Sequence, residues 1–167
     1  PIHGGSLRIY ASKNNLNENA SVREFLNFEN KNRLYDISTY KNFHKKVKKI
    51  KKDFLKLLNQ LKNKKKKVAA YGASAKGNTL LNYCRINKNL IRFIADDTPK
   101  KQNKLAPGSR IPIKDASYLE KEKPNYIVLL AWNFAKELVQ KTKKHRKRGG
   151  KYIIPIPKVR IVEGVVD

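Results

Sequence analysis

The residues best placed to do chemistry lie in Val68 to Cys84, VAAYGASAKGNTLLNYC. An apolar run, Val68 to Tyr71, stops at Gly72, a turn of small residues follows, and Leu80, Leu81 and Cys84 then fall on one side of a helix. A buried strand, a tight turn and a helix start, in that order, point backbone N–H groups and the positive end of a helix at an anion. Gly72 lets the chain turn sharply, and Ala73, Ser74 and Ala75 let a ligand approach the backbone. Lys76 adds a positive charge in the first turn, and Ser74, Asn78 and Thr79 add short polar side chains. The chemistry expected of this set is phosphate binding.

Two phosphate-loop patterns come close without matching. The Walker pattern requires a lysine directly after its second glycine. Here Asn78 occupies that place and Lys76 precedes Gly77, so NTP hydrolysis is not expected. The dinucleotide fingerprint requires three glycines, of which Gly72 and Gly77 supply the first and last. An acidic residue, Asp96 or Asp97, does follow at about the distance of a ribose ligand. An ordinary strand-to-helix turn with no ligand is the competing reading of the loop.

The elements that must hold this loop begin at Lys67, where strands and helices start to alternate. LIRFIA (Leu90 to Ala95) reads as a second strand ending in Asp96-Asp97, and Ile111 to Ile113 as a short strand. Asp115 to Lys123 reads as a brief helix and YIVLLA (Tyr126 to Ala131) as the third main strand, with Trp132-Asn133-Phe134 at its end. A helix from Phe134 to Arg148 ends in KTKKHRKR before Gly149-Gly150, and YIIPI opens a last strand, with Val159 to Val162 as its candidate continuation. Right-handed crossovers turn this order into an α/β fold, a small doubly wound, Rossmann-like parallel sheet with helices on both faces. Ligands of such sheets bind beyond the carboxyl ends of the strands. Those ends here carry Tyr71 to Thr79, Asp96 to Gln102 and Trp132 to Phe134. Asp96 or Asp97 suits hydroxyls, Lys100 or Lys101 a second charge, and Trp132 a stacking face. A strand-end turn for the aspartates and packing for Trp132 are the alternatives.

Upstream, Leu7 to Tyr10 reads as a strand with no partner nearby in sequence, the last strand of a preceding domain. Lys13 to Asn32 reads as a loop or short helix that Val22, Phe25, Leu26 and Phe28 dock by one turn. From Tyr35 to about Lys64, Tyr40, Phe43, Val47, Ile50, Phe54, Leu57 and Leu61 recur at steps of three and four, the pattern of one long amphipathic helix. His44 and His145, both among lysines, are expected to be solvated. The expected divisions are residues 1–34, the end of an upstream domain and a linker; 35–66, a linking helix; and 67–167, the Rossmann-like domain.

The totals bound the class. With 167 residues and 40% hydrophobic content, the chain can form one cored domain with an appendage. No apolar run is long enough to span a bilayer, so no membrane partner is expected. The single cysteine, Cys84, reads as a small buried hydrophobe in a reducing cytoplasm. The net charge of +26 rests on Lys far more than Arg and accompanies abundant Asn, as in KNNLNEN. That is composition bias on solvated positions, and no specific nucleic-acid partner is expected. The absence of Met and the start at Pro1 suggest a piece of a longer chain.

Taken together, HGGSLR (His3 to Arg8), YGASAKGNTLLNYC, DDTPKKQNKLAPGSRIPI (Asp96 to Ile113), LLAWNFAKEL (Leu129 to Leu138) and the closing IIPIP resemble the C-terminal domain of the sugar C-methyltransferases. The resemblance runs from Pro1 to about Val162. It implies an enzyme that uses S-adenosylmethionine to methylate a carbon of a nucleotide-linked keto-deoxysugar. It also implies an upstream methyltransferase domain that binds the cofactor, and a zinc-binding segment before it, so that no metal ligands are expected here. Without that upstream domain the chain is expected to be inactive. The resemblance gives His3 the role of general base, removing a proton from the carbon beside a ketone. It gives the nucleotide-sugar to the doubly wound domain. Tyr71, Gly72, Ser74, Lys76, Asn78 and Thr79 are its candidates for the diphosphate edge. Asp96, Lys101, Gln102, Trp132 and Asn133 are its candidates for base, ribose or sugar. Asn103 departs from the small residue, usually Gly, expected after Lys101-Gln102, and Ser109 stands where Thr is common. A nicotinamide-dependent oxidoreductase fragment and a basic nucleic-acid-binding module are the alternatives from other classes.

Overall fold

Every residue of the strand Val68–Tyr71 is buried, which requires cover on both faces of the sheet. A computed structural model of the chain, describing residues 6–14 and 17–164, supplies that cover. Five parallel strands, β1 (Val68–Tyr71), β2 (Ile94–Ala95), β3 (Ile113–Lys114), β4 (Tyr126–Leu129) and β5 (Lys151–Ile154), lie in the order β3-β2-β1-β4-β5. A sixth, β6 (Arg160–Val162), closes the far edge antiparallel to β5. The fold is the expected α/β, Rossmann-like sheet, and its order reverses between β1 and β4.

Side-chain alternation divides the core in two. Val68, Ala70, Val128 and Ile153 face one layer, with Leu80 and Leu81 of α3 (Ala75–Tyr83) and Phe54, Leu58 and Leu61 of α2 (Ile37–Asn63). Ala69, Tyr71, Ile127, Leu129, Tyr152 and Ile154 face the other, with Leu119 of α4 (Tyr118–Glu122) and Leu138 and Val139 of α5 (Ala135–Lys141). Cys84 is buried in the first layer as expected, and burial pushes its thiol up.

The chain divides into two units, residues 1–48 and 49–167, and the sheet belongs wholly to the second. In the first unit α1 (Ala20–Lys31) is a longer helix than the sequence suggested, capped by the Asn19 side chain. Val22, Phe25, Leu26 and Phe28, expected to dock, are all exposed in it. Asp36 starts α2 by accepting the Ser38 N–H at 2.7 Å. Leu7 to Tyr10 forms no strand, because a strand needs a partner and the described residues provide none for it. Among the described residues no helix is long and apolar enough to cross a membrane.

The expected helix from Phe134 to Arg148 is broken. It becomes α5 and α6 (Lys143–Lys147), with Thr142 between them. The buried Thr142 hydroxyl bonds the Leu138 carbonyl and meets the Tyr152 hydroxyl at 2.7 Å. The bend turns His145 inward, so this residue, expected in solvent, is 1% exposed. Its ring packs edge-on against Tyr152 at 5.1 Å. Burial, and Arg148 nearby, hold the imidazole below its ordinary pKa.

Candidate substrate site at the carboxyl edge of the sheet

The loop after β1 is built around its two glycines. Gly72 has φ +89°, and a Cβ there would lie 2.9 Å from that of Ala131. Gly77 sits where α3 crosses β4 so closely that a Cβ would fall 2.6 Å from that of Leu130. Ser74 is the N-cap of α3: its Oγ accepts the Gly77 N–H at 3.1 Å and donates to the Leu130 carbonyl at 3.0 Å. The Thr79 hydroxyl turns back to the Ala75 carbonyl within the helix.

Asp96 is the clasp of this edge. One carboxylate oxygen accepts the Ala73 N–H at 2.6 Å, the other the Thr98 N–H at 2.9 Å, and Lys101 Nζ lies 3.6 Å away. Lys101 also donates to the Ala73 carbonyl at 3.0 Å. Burial by itself would raise this carboxyl's pKa, but the Thr98 and Ala73 N–H groups and the Lys101 charge hold it below the ordinary range. Gln102 donates to the Asp96 carbonyl and to Asp115, which ties the next loop to the same strand end.

A pocket of about 370 Å³ opens beside this clasp, on the α3 face. Ser74, Asn78 and Leu81 form one side, Ile94, Ile113 and Leu130 the sheet side, and Leu105 to Pro107 the outer wall. Lys100, Lys101 and Lys104 also line it. The outer wall is held to α3 by Asn82, whose side chain donates to the carbonyls of Asn78 and Pro107 at 2.9 and 3.0 Å. Asn103, at the start of this wall, has φ +59°. Asn is among the few non-glycine residues that tolerate this left-handed region. Inside the pocket wall, Asn78 Oδ1 is buried without a hydrogen-bond partner.

The sequence itself matches a known family. The family described as the C-methyltransferase C-terminal domain matches residues 1–157. This chain belongs to it. It is also 34% identical over 163 residues to the C-methyltransferase NovU of Streptomyces niveus, a match covering 96% of this chain and 39% of that protein. The chain thus spans about two fifths of the length of the relative it matches.

Within this family member, the residues named from sequence separate into groups. Ser74, Asn78 and Lys101 line the pocket, while Gly72, Asp96 and Gln102 shape or tie its walls. Tyr71, Lys76, Thr79, Trp132 and Asn133 are not among the lining residues. Tyr71 is buried in the opposite layer and donates to Asp97 at 2.8 Å, and Asp97 pairs with Lys141 at 3.2 Å. Burial, then Asp97, push its phenol well above the usual range. Trp132 is half-buried and packs against both layers, and Asn133 is exposed. His3 lies outside the described residues. Lys104, Leu105 and Pro107 were not foreseen from the sequence; backbone bonds of Lys104 and Ala106 to Ile113 and Ile111, and the Asn82 bond to Pro107, bring their loop to the pocket. The one local signal was Asn103 with Pro107-Gly108, residue types that favour turns.

Proposed function

We propose that this domain holds the nucleotide-sugar substrate of an S-adenosylmethionine-dependent C-methyltransferase, with the pocket beside Asp96 as its nucleotide subsite. The observation that carries this reading is the lining of the pocket. Apolar walls suit a nucleobase or sugar face, and Lys100, Lys101 and Lys104 suit a diphosphate. The start of α3 adds a positive dipole end at the same place.

The methyl donor is assigned to another part of the enzyme, because this edge does not fit it. A nucleoside cofactor in a doubly wound sheet is expected to give its ribose hydroxyls to the acid after the second strand. Here both oxygens of Asp96 are engaged by backbone N–H groups. The same fact weighs against a nicotinamide cofactor. His3 keeps its proposed role as general base toward the carbon beside the ketone, carried by the resemblance of HGGSLR.

Mapping amide shifts of the 167-residue chain on addition of nucleoside diphosphates tests the reading. Shifts centred on residues 73–78 and 100–107 support it. Shifts centred elsewhere, or none at millimolar ligand, overturn it.

A further inference from the structure

Two basic runs far apart in the chain, KKKK at residues 64–67 and KKHRKR at 143–148, meet at the amino-terminal edge of the sheet. They border a cleft of about 340 Å³, at the opposite end of the strands from the substrate pocket. Lys66, Lys123, Arg148 and Lys151 line it, and no carboxylate is among its lining residues. Its floor is hydrogen-bonded: the Asn125 side chain accepts the Lys67 N–H at 2.8 Å, and the Lys151 N–H donates to the Asn125 carbonyl at 3.0 Å, joining β4 to β5.

The charges around the cleft are unequally satisfied. Arg148 pairs with Glu120 at 2.6 Å and Lys151 with Glu163 at 2.5 Å. Lys66 and Lys123 enter no ion pair among the described residues. Lys123 is held at the cleft by its position as C-cap of α4, at φ 45°. His145, 1% exposed, forms part of the same wall. Its Nε2 is 3.2 Å from the Lys151 carbonyl and donates to it, while Nδ1 is buried without a partner. Gly150 admits the ring, since a Cβ there would fall 2.2 Å from it.

We propose that this cleft is a second binding site, distinct from the substrate pocket, for a small multiply charged anion of the oligophosphate class. Cations gathered on one concavity repel one another, and a polyanion bridging Lys66 and Lys123 relieves that repulsion with charge-assisted hydrogen bonds. Its lining is mostly cationic and polar, without the largely apolar walls of the other pocket that suit a base or sugar face. The inference does not depend on the proposed substrate, since the two sites share no lining residue.

Calorimetric titration of the 167-residue chain with tripolyphosphate at about 0.15 M salt, where long-range attraction is screened, tests it. Saturable binding is expected, weakened about tenfold in the double variant Lys66→Gln/Lys123→Asn, the loss of two exposed ion pairs. Asn at position 123 keeps the left-handed backbone. A control removing equal charge elsewhere, Lys45→Gln/Lys56→Gln, should change affinity less than twofold, within the spread of surface charge effects at about this ionic strength. The His145 Hε1 resonance should move with tripolyphosphate and stay in place when a nucleoside diphosphate fills the other pocket. Equal weakening in both double variants would reduce the binding to diffuse charge and overturn the proposal. So would the absence of saturation. If a short DNA duplex proved more sensitive to Lys66 and Lys123 than tripolyphosphate, the surface would belong to a nucleic acid and the small-anion proposal would fail.

Discussion

Replacing Asp96 by Asn should destabilise the sheet domain by about 2–3 kcal/mol, although the two side chains share a shape. The carboxylate accepts two backbone N–H groups, at 2.6 and 2.9 Å, and lies 3.6 Å from Lys101. An amide offers one oxygen, so either Ala73 or Thr98 must face an NH2 group, and a buried donor without a partner costs about 1–3 kcal/mol. Lys101 loses its counter-charge as well. Its side chain is 44% exposed, so that loss counts for under about 1 kcal/mol. With a urea m-value of about 2 kcal/mol/M, the unfolding midpoint should fall by about 1 M while the slope stays constant. The acid limb should change too. Because the folded pKa of Asp96 is lowered, its stabilisation is complete above the unfolded value of about 3.9 and drains away as pH falls from there through the folded pKa. The Asn variant should lack that loss. A midpoint that moves by less than about 0.2 M, within the error of the extrapolation, would refute the clasp and free the carboxylate for a ligand.

Substitutions at three further positions probe the same architecture. Gly77→Ala would place a Cβ 2.6 Å from that of Leu130. Overpacking of about 1–3 kcal/mol should exceed the helix-propensity gain of about 1 kcal/mol, and a raised melting temperature would show that α3 can recede from β4. Asn103→Gly should leave stability within about 0.5 kcal/mol, whereas Asn103→Val, β-branched at φ +59°, should lose about 1–2 kcal/mol. Equal unfolding midpoints for the two would contradict the left-handed assignment. His145 has a folded pKa below its unfolded value of about 6.5, so its contribution to stability is full above that pH and falls as the solution is acidified through the window beneath it. Stability of His145→Gln, relative to the parent, should therefore improve between about pH 6.5 and 5. A constant difference across that range would mean that the imidazole charges freely in the fold.

The sheet was legible because fully buried parallel strands leave unbroken apolar runs, and VAAY and YIVL read as such without ambiguity. The long helix was legible from apolar residues at steps of three and four, although only Phe54, Leu58 and Leu61 of its seam region are buried. Leu58 lies beside the expected seam position Leu57, a rotation of the buried face that a period between three and four leaves open. The break at Thr142 was not legible. Nothing in KTKKHRKR signals that a threonine hydroxyl will pair with Tyr152 and draw His145 inside. The candidate site was half legible. Strand ends announce themselves through Gly72, Ser74 and Asp96, but whether a carboxylate faces a ligand or its own backbone depends on a distance that only the folded chain sets. Asp96 faces its backbone. Lys104 and Pro107 depend on a loop return held by backbone bonds to Ile111 and Ile113 and by the Asn82 side chain, none of which has a sequence signature.

What occupies the pocket beside Asp96 decides the role of this domain. Calorimetry of the 167-residue chain against nucleoside diphosphates and NADH, with Lys104→Ala as the diagnostic variant, measures this directly. Saturable nucleoside diphosphate binding is expected, weakened several-fold by Lys104→Ala, unaffected by Lys66→Gln/Lys123→Asn, and tighter than any binding of NADH. Binding that prefers NADH, or that ignores Lys104, would contradict the proposed function.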